Sequence, residues 1–234
     1  MNKDNYSIDD IREYSSSNIE QVHSVLLRML RIFDAICQNN KINYWMDYGT
    51  LLGAVRHSGF IPWDFEADIG MLRSDFIRLR QIIETELPHD LFFQCEETDP
   101  SYIYGNAVEA KIRDRYSNYL HNEQPSETKN WHNGIQIDIF VYDRDLIFEN
   151  CLTNAFERHM SNSNIHLQFD EIQYTTDCEF NGFKFPIPIG FDTYLRRNYD
   201  DYMKLPPPEH QIAPYVDVFN SSNHPAGLIW KTKL

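Results

Sequence analysis

Cysteine is scarce in this chain of 234 residues, and the four present (Cys37, Cys95, Cys151 and Cys178) lie far apart. There is no C-x-x-C pair, so neither a zinc knuckle nor a disulfide framework has support; reduced thiols are the plain reading. No run reaches the roughly 18 apolar residues of a membrane span, so no transmembrane segment is expected. The stretch Met1-Asn2-Lys3-Asp4-Asn5 is polar and lacks the apolar core of a secretory signal. Positive charge is also short: 21 Lys and Arg stand against 35 Asp and Glu, a formal net charge of -14. Such a chain has no general basic footprint for nucleic acid and no simple attraction to an anionic bilayer. The expected location is the cytoplasm, including the inner face of the membrane.

What is present suffices for a core: 42% of residues are hydrophobic and 14% aromatic. Apolar positions from Val22 to Ile36 follow helical spacing, which predicts a helix over 18–40 with Ser17 or Asn18 as cap. A short strand is predicted over 42–46, then a tight turn at Gly49-Thr50 opening into a short helix. Strict alternation over 134–142 (Ile135, Ile137, Ile139, Val141) predicts a strand. Residues 152–160 read as helix, 178–188 as a hairpin around Asn181-Gly182, and 191–203 as a helix stopped by Pro206-Pro207-Pro208. The expected organisation is a flexible N-terminus over 1–17, one domain over 18–210 and a tail over 211–234.

The most informative segment is 61–71. It sets Asp64, Glu66 and Asp68 at alternate positions, with Phe65, Ala67 and Ile69 between and after them. In an extended strand alternate side chains share a face, about 6–7 Å apart. Three anions on one face repel unless a cation sits among them. Asp138, set in the apolar run Ile137-Asp138-Ile139-Phe140, is a second such group, because a carboxylate buried alone is expensive. If the two strands are neighbours, the four carboxylates form one cluster. Hard oxygen ligands of this kind suit Mg²⁺ or Mn²⁺. The glycine turn and helix start at Gly49-Thr50 offer backbone N–H groups to phosphate. Arg56, Lys111 and Arg113 are candidate phosphate contacts, the last two sharing a strand face.

The run Trp45-Met46-Asp47-Tyr48-Gly49-Thr50-Leu51-Leu52-Gly53-Ala54-Val55-Arg56-His57, with Gly59-Phe60-Ile61-Pro62-Trp63-Asp64, resembles the LicD family, which includes the fukutin-related ribitol-phosphate transferases. Further matches are Ala110-Lys111-Ile112-Arg113, Gln136-Ile137-Asp138-Ile139-Phe140, and Tyr194-Leu195-Arg196 with 199–203. The resemblance spans about residues 20–208. It implies an α+β fold, a nucleotidyltransferase-like mixed β-sheet flanked by helices. It implies transfer of a phospho-alcohol (phosphocholine, ribitol phosphate or glycerol phosphate) from a CDP-activated donor to a glycan acceptor. By the family motif Asp64, Glu66 and Asp68 fall on the metal-binding run, and Asp138 on the distal metal-ligand or general-base position. Gly49 and Thr50 fall beside the donor phosphates. Phe65 and Glu66 stand where the family usually has two more aspartates. The competing expectations are nucleotidyl transfer from an NTP, and a catalytically silent binding module.

Overall fold

A computed structural model of the chain describes residues 6–99, 102, 108–118, 133–159, 166–213 and 216–219. The first long element is helix α1, Asn18–Asn40. Ser17 caps it by accepting the Glu20 N–H, and Lys41 closes it in the left-handed region. Its inward stripe (Val22, Val25, Leu26, Met29, Leu30, Ile32, Phe33, Ile36) is wholly buried. Burying each such side chain contributes about 1.5–3 kcal/mol.

Strand β1 (Trp45–Met46) leads at once into helix α2 (Tyr48–His57), and strand β2 is Ala67–Leu72. Helices α3 (Arg73–Arg80) and α4 (Ile83–Glu86) precede strands β3 (Leu91–Gln94), β4 (Ala110–Asp114) and β5 (Gln136–Arg144). The central sheet runs β1-β2-β5-β4-β3. Only β2 and β5 pair in parallel along this path; the other neighbours are antiparallel. This is the mixed sheet of an α+β fold. Strand β6 (Cys151–Thr153) extends it from the end of β5 and pairs with β7 (Leu167–Gln168). Helix α5 (Ala155–His159) lies between them in the chain. The helix expected from 152 therefore starts three residues later, because 151–153 are drawn into the sheet.

Strands β8 (Thr175–Phe180) and β9 (Phe183–Pro188) form a separate hairpin. Its turn is Asn181-Gly182, both with positive φ, as a two-residue turn of this kind requires. Helix α6 is Phe191–Tyr199. It ends four residues short of the expected 203, at Asp200, whose φ of 51° breaks the helix.

Residues 6–17, expected to fray, are tied down. Arg12 is buried and forms a two-pronged pair with Asp114, while a third donor of the same guanidinium group meets Asp10. Arg12 also donates to the Val218 carbonyl, and Asn18 bonds both backbone groups of Val216. Part of the expected tail is thus stitched to the start of the domain; residues 220–234 lie outside the described set.

Candidate active site

Three adjacent strands carry the chemistry to one place. Asp68 of β2 stands opposite Asp138 of β5, and Lys111 of β4 stands opposite Asp138 from the other side. Residues paired across strands share a face, so a cation and two anions form a row across the sheet. Glu66, just before β2, completes the group: one oxygen each from Glu66, Asp68 and Asp138 lies within 4.8 Å of the other two. That spacing fits a shared hard cation. Asp64 stands outside this trio but lines the same cavity, whose volume is about 520 Å³, within the range of small-ligand sites.

The strand expected to carry all three carboxylates of 61–71 begins only at Ala67. Before it, Pro62 occupies a turn closed by the Asp64 N–H on the Ile61 carbonyl at 2.9 Å. His23 of α1 holds that turn from behind: its ring stacks on Phe60, and Nε2 donates to the Asp64 carbonyl at 2.8 Å. Asp64 and Glu66 therefore reach the cavity from a braced loop, not from a strand.

The electrostatics show what the site lacks. Among the described residues lining the cavity, four carboxylates share one cation, Lys111, whose Nζ is 2.7 Å from Asp138 Oδ1. Gln136 bridges two of the acids, donating to Glu66 at 2.8 Å and Asp138 at 3.2 Å. Burial, then the charges of Glu66, Asp138 and Asp64, push the Asp68 carboxyl well above its ordinary range. Burial and the neighbouring Asp138 raise Glu66 to about 7. Asp64 is raised to about 6, again chiefly by burial. Crowded, protonation-prone carboxylates aimed at one point are the donor set a divalent cation takes.

The Asp47–Thr50 turn grips Asp68. The Asp47 N–H donates to the Asp68 carbonyl at 3.0 Å, the Gly49 N–H to Oδ2 at 3.2 Å, and Thr50 Oγ1 accepts the Asp68 N–H at 2.7 Å. Thr50, expected beside donor phosphates, is buried, does not line the cavity and braces Asp68 from behind. Gly49 does line it. A Cβ there would sit 3.0 Å from Asp64 Oδ2 and 3.4 Å from Asp68 Oδ2, so a side chain would crowd the acids.

Two further residues expected at phosphate are engaged elsewhere. Arg113 is buried, with its guanidinium on Gln94 (2.6 Å) and the Gly134 carbonyl (2.9 Å); it does not line the cavity, although its charge acts on Asp138 and Glu66. Arg56 ties α2 to the segment after α6 through the Tyr202 carbonyl at 3.0 Å. Lys111 is the expected phosphate contact that the structure does bring to the cavity.

A family model described as the LicD/FKTN/FKRP nucleotidyltransferase domain matches residues 41–189. The chain belongs to this family. A lipopolysaccharide cholinephosphotransferase LicD of Haemophilus influenzae is 26% identical over 256 residues, covering 82% of this chain and 94% of that protein. The human ribitol 5-phosphate transferase FKRP is 30% identical over 83 residues, 34% of this chain and 16% of that protein. An uncharacterised Rickettsia prowazekii protein is 38% identical over 77 residues, 33% of this chain and 28% of that protein.

In this LicD-family chain Asp47, inside the longest motif, has a structural role that its sequence neighbours do not reveal. It is fully buried and accepts from Tyr142 (2.8 Å), Tyr194 (2.9 Å) and the Tyr48 N–H (2.9 Å). A single acid before a glycine turn carries no local sign of such partners, which come from β5 and α6. Tyr48 has φ 38°, a strained value for a residue with a side chain. Asp47 Oδ1 takes its N–H at 2.9 Å, and its hydroxyl is held by Asn154 (2.8 Å) and Glu157 (3.2 Å). Gly70 leaves the room this needs, since a Cβ would fall on the Trp45 indole and 2.7 Å from Asp47 Oδ2.

One pH prediction follows from the raised acids. Glu66 and Asp64 retain protons in the metal-free fold at a pH where the unfolded chain, with ordinary values of 4.5 and 3.8, has lost them. The folded state binds more protons, so their contribution to stability falls as pH rises from about 4 to about 7. In chelator, Glu66→Gln is expected to gain melting temperature relative to wild type across that window. Mn²⁺, which needs the ionised acids, should stabilise wild type increasingly over the same range. Parallel melting curves at every pH would contradict the crowded-acid description.

Proposed function

We propose that the chain moves a phospho-alcohol (phosphocholine, ribitol phosphate or glycerol phosphate) from a CDP-activated donor to a glycan hydroxyl, releasing CMP. The reading places it in the synthesis of a surface polysaccharide or teichoic-type polymer. The trio of Glu66, Asp68 and Asp138 oxygens within 4.8 Å carries it, in a chain similar over 82% of its length to a cholinephosphotransferase.

Glu66, Asp68 and Asp138 would hold Mg²⁺ or Mn²⁺. The ion supplies charge neutralisation for the donor's diphosphate. Lys111 adds a second positive charge beside Asp138. Gly49 keeps the approach to the acids open. Asp64, which lines the cavity outside the trio and so is not taken up as one of its three ligands, takes the proton of the acceptor hydroxyl. The acceptor oxygen bonds to the phosphorus nearest the transferred alcohol, and the bridging P–O bond breaks toward CMP.

The test is CMP release from CDP-choline, CDP-ribitol and CDP-glycerol with Mg²⁺ and a glycan acceptor. Asp64→Asn is expected to lower turnover by about 10²–10⁴-fold and to remove the acidic limb of the pH profile. Pyrophosphate release from CTP instead of CMP release would replace this reading with nucleotidyl transfer. Calorimetry showing no uptake of Mn²⁺ or of any CDP-alcohol would leave a silent module.

A further inference from the structure

Asn198 is the penultimate residue of α6 and lines the cavity together with Tyr199. Both its side-chain oxygen and its side-chain nitrogen are shielded from solvent and have no hydrogen-bond partner among the described residues. Its neighbours along α6 point their bonds elsewhere: Arg196 pairs with Asp192 at 3.0 Å, two nitrogens of Arg197 meet Glu171 at 3.0 and 2.6 Å, and Tyr194 donates to Asp47. Buried polar groups are nearly always satisfied, and one that is not calls for an explanation. Leaving both ends of an amide unmade is costly, and the cost is recovered only when something else supplies a donor and an acceptor.

We infer that Asn198 is a specificity-determining residue that hydrogen-bonds a hydroxyl group of the bound substrate. This rests on the proposed CDP-alcohol reading of the same cavity. A carboxamide presents two N–H donors and a carbonyl acceptor. A hydroxyl, which both donates and accepts, is its natural complement. A quaternary ammonium group offers neither, and the apolar rings in the same cavity, Phe140 and Phe156, would suit it better than Asn198 does. A site built to bond a hydroxyl rejects an analogue lacking it, because its own polar group is left unpaired. The hydroxyl belongs either to the nucleotide's ribose or to the polyol being transferred.

Calorimetry with Mg²⁺ separates the two sources. The ligands are CMP, 2′,3′-dideoxy-CMP, CDP-choline and CDP-glycerol; the proteins are wild type, Asn198→Leu (same shape, no polar end) and Asn198→Ser (polar, shorter). Asn198→Leu is expected to weaken the hydroxyl-bearing ligand at least about tenfold, with partial recovery in Asn198→Ser. A penalty common to CMP and both CDP-alcohols, absent with dideoxy-CMP, assigns the ribose. A penalty confined to CDP-glycerol assigns the polyol. If the leucine variant fails to fold, wild type's own preference for CMP over dideoxy-CMP, or CDP-glycerol over CDP-choline, must reach the same tenfold; equal affinities overturn the inference. Undiminished binding of every ligand by folded Asn198→Leu overturns it too. So does a fall in Mn²⁺ affinity measured alone, since the amide would then be a metal ligand. Wild type that binds none of the four overturns the CDP-alcohol reading itself.

Discussion

Asp68→Asn is expected to lower CMP release by about a thousandfold or more while raising the melting temperature of the metal-free protein. The two effects have one cause. Asp68 is the most crowded acid of the site, raised by burial and then by Glu66, Asp138 and Asp64. A neutral amide of the same shape removes repulsion within the cluster and keeps the Gly49 N–H bonded through its oxygen. It also removes one of the three oxygen ligands for a divalent ion, whose stabilisation of phosphoryl charge is worth several kcal/mol. About 4 kcal/mol in the barrier corresponds to about a thousandfold in rate. Mn²⁺ binding, followed by calorimetry, should fall in parallel. Undiminished turnover would remove Asp68 from the catalytic site; lost turnover with lost stability would mean that its role is structural.

Asp47→Ala is expected to cost about 3–5 kcal/mol of stability. The carboxylate is wholly enclosed and accepts three hydrogen bonds. Removing it leaves the Tyr142 and Tyr194 hydroxyls without their charged acceptor, at about 1.5–3 kcal/mol for each bond to a charged group, and removes the cap of α2. In a domain of this size the melting temperature should drop by roughly 10 °C. Asp47→Asn, which keeps an acceptor, should lose much less. Urea melts of the two variants check this directly. A small loss in Asp47→Ala would mean that the Tyr142 and Tyr194 bonds are dispensable and that Tyr48 keeps its strained backbone by other means.

The fold and site were unevenly legible in the sequence, for reasons visible in particular residues. Helix α1 was readable to its ends because its apolar stripe, its serine cap and its exit are all local signals. Strand β5 was readable because Ile135, Ile137, Ile139 and Val141 alternate strictly around Asp138. The Asn181-Gly182 turn dictates its own hairpin. Strand β6 was not readable: three residues carry no period, and β5 and β7 define it from outside. The alternation of Asp64, Glu66 and Asp68 suggested a longer strand than exists, because Pro62 turns the chain and only the last of the three lies on the sheet. Thr50, Arg56 and Arg113 have the right chemistry for phosphate, but their partners (Asp68, Tyr202, Gln94) are remote in sequence and occupy them. The sequence showed which residue types were available; only the tertiary contacts showed which were already used.

The pairing of Asp68 with Asp138 has a consequence for how this gene product can vary. Seventy positions separate the two acids, yet they meet through the alignment of two six-residue stretches, Ala67 with Ile137 through Leu72 with Tyr142. Lengthening the intervening connection leaves that alignment untouched. Deleting one residue inside either stretch turns each later side chain to the opposite side of the sheet, exchanging cavity-facing and core-facing positions beyond the deletion. Tolerance to insertion and deletion should therefore switch from permissive to lethal within a few codons at the ends of these two strands.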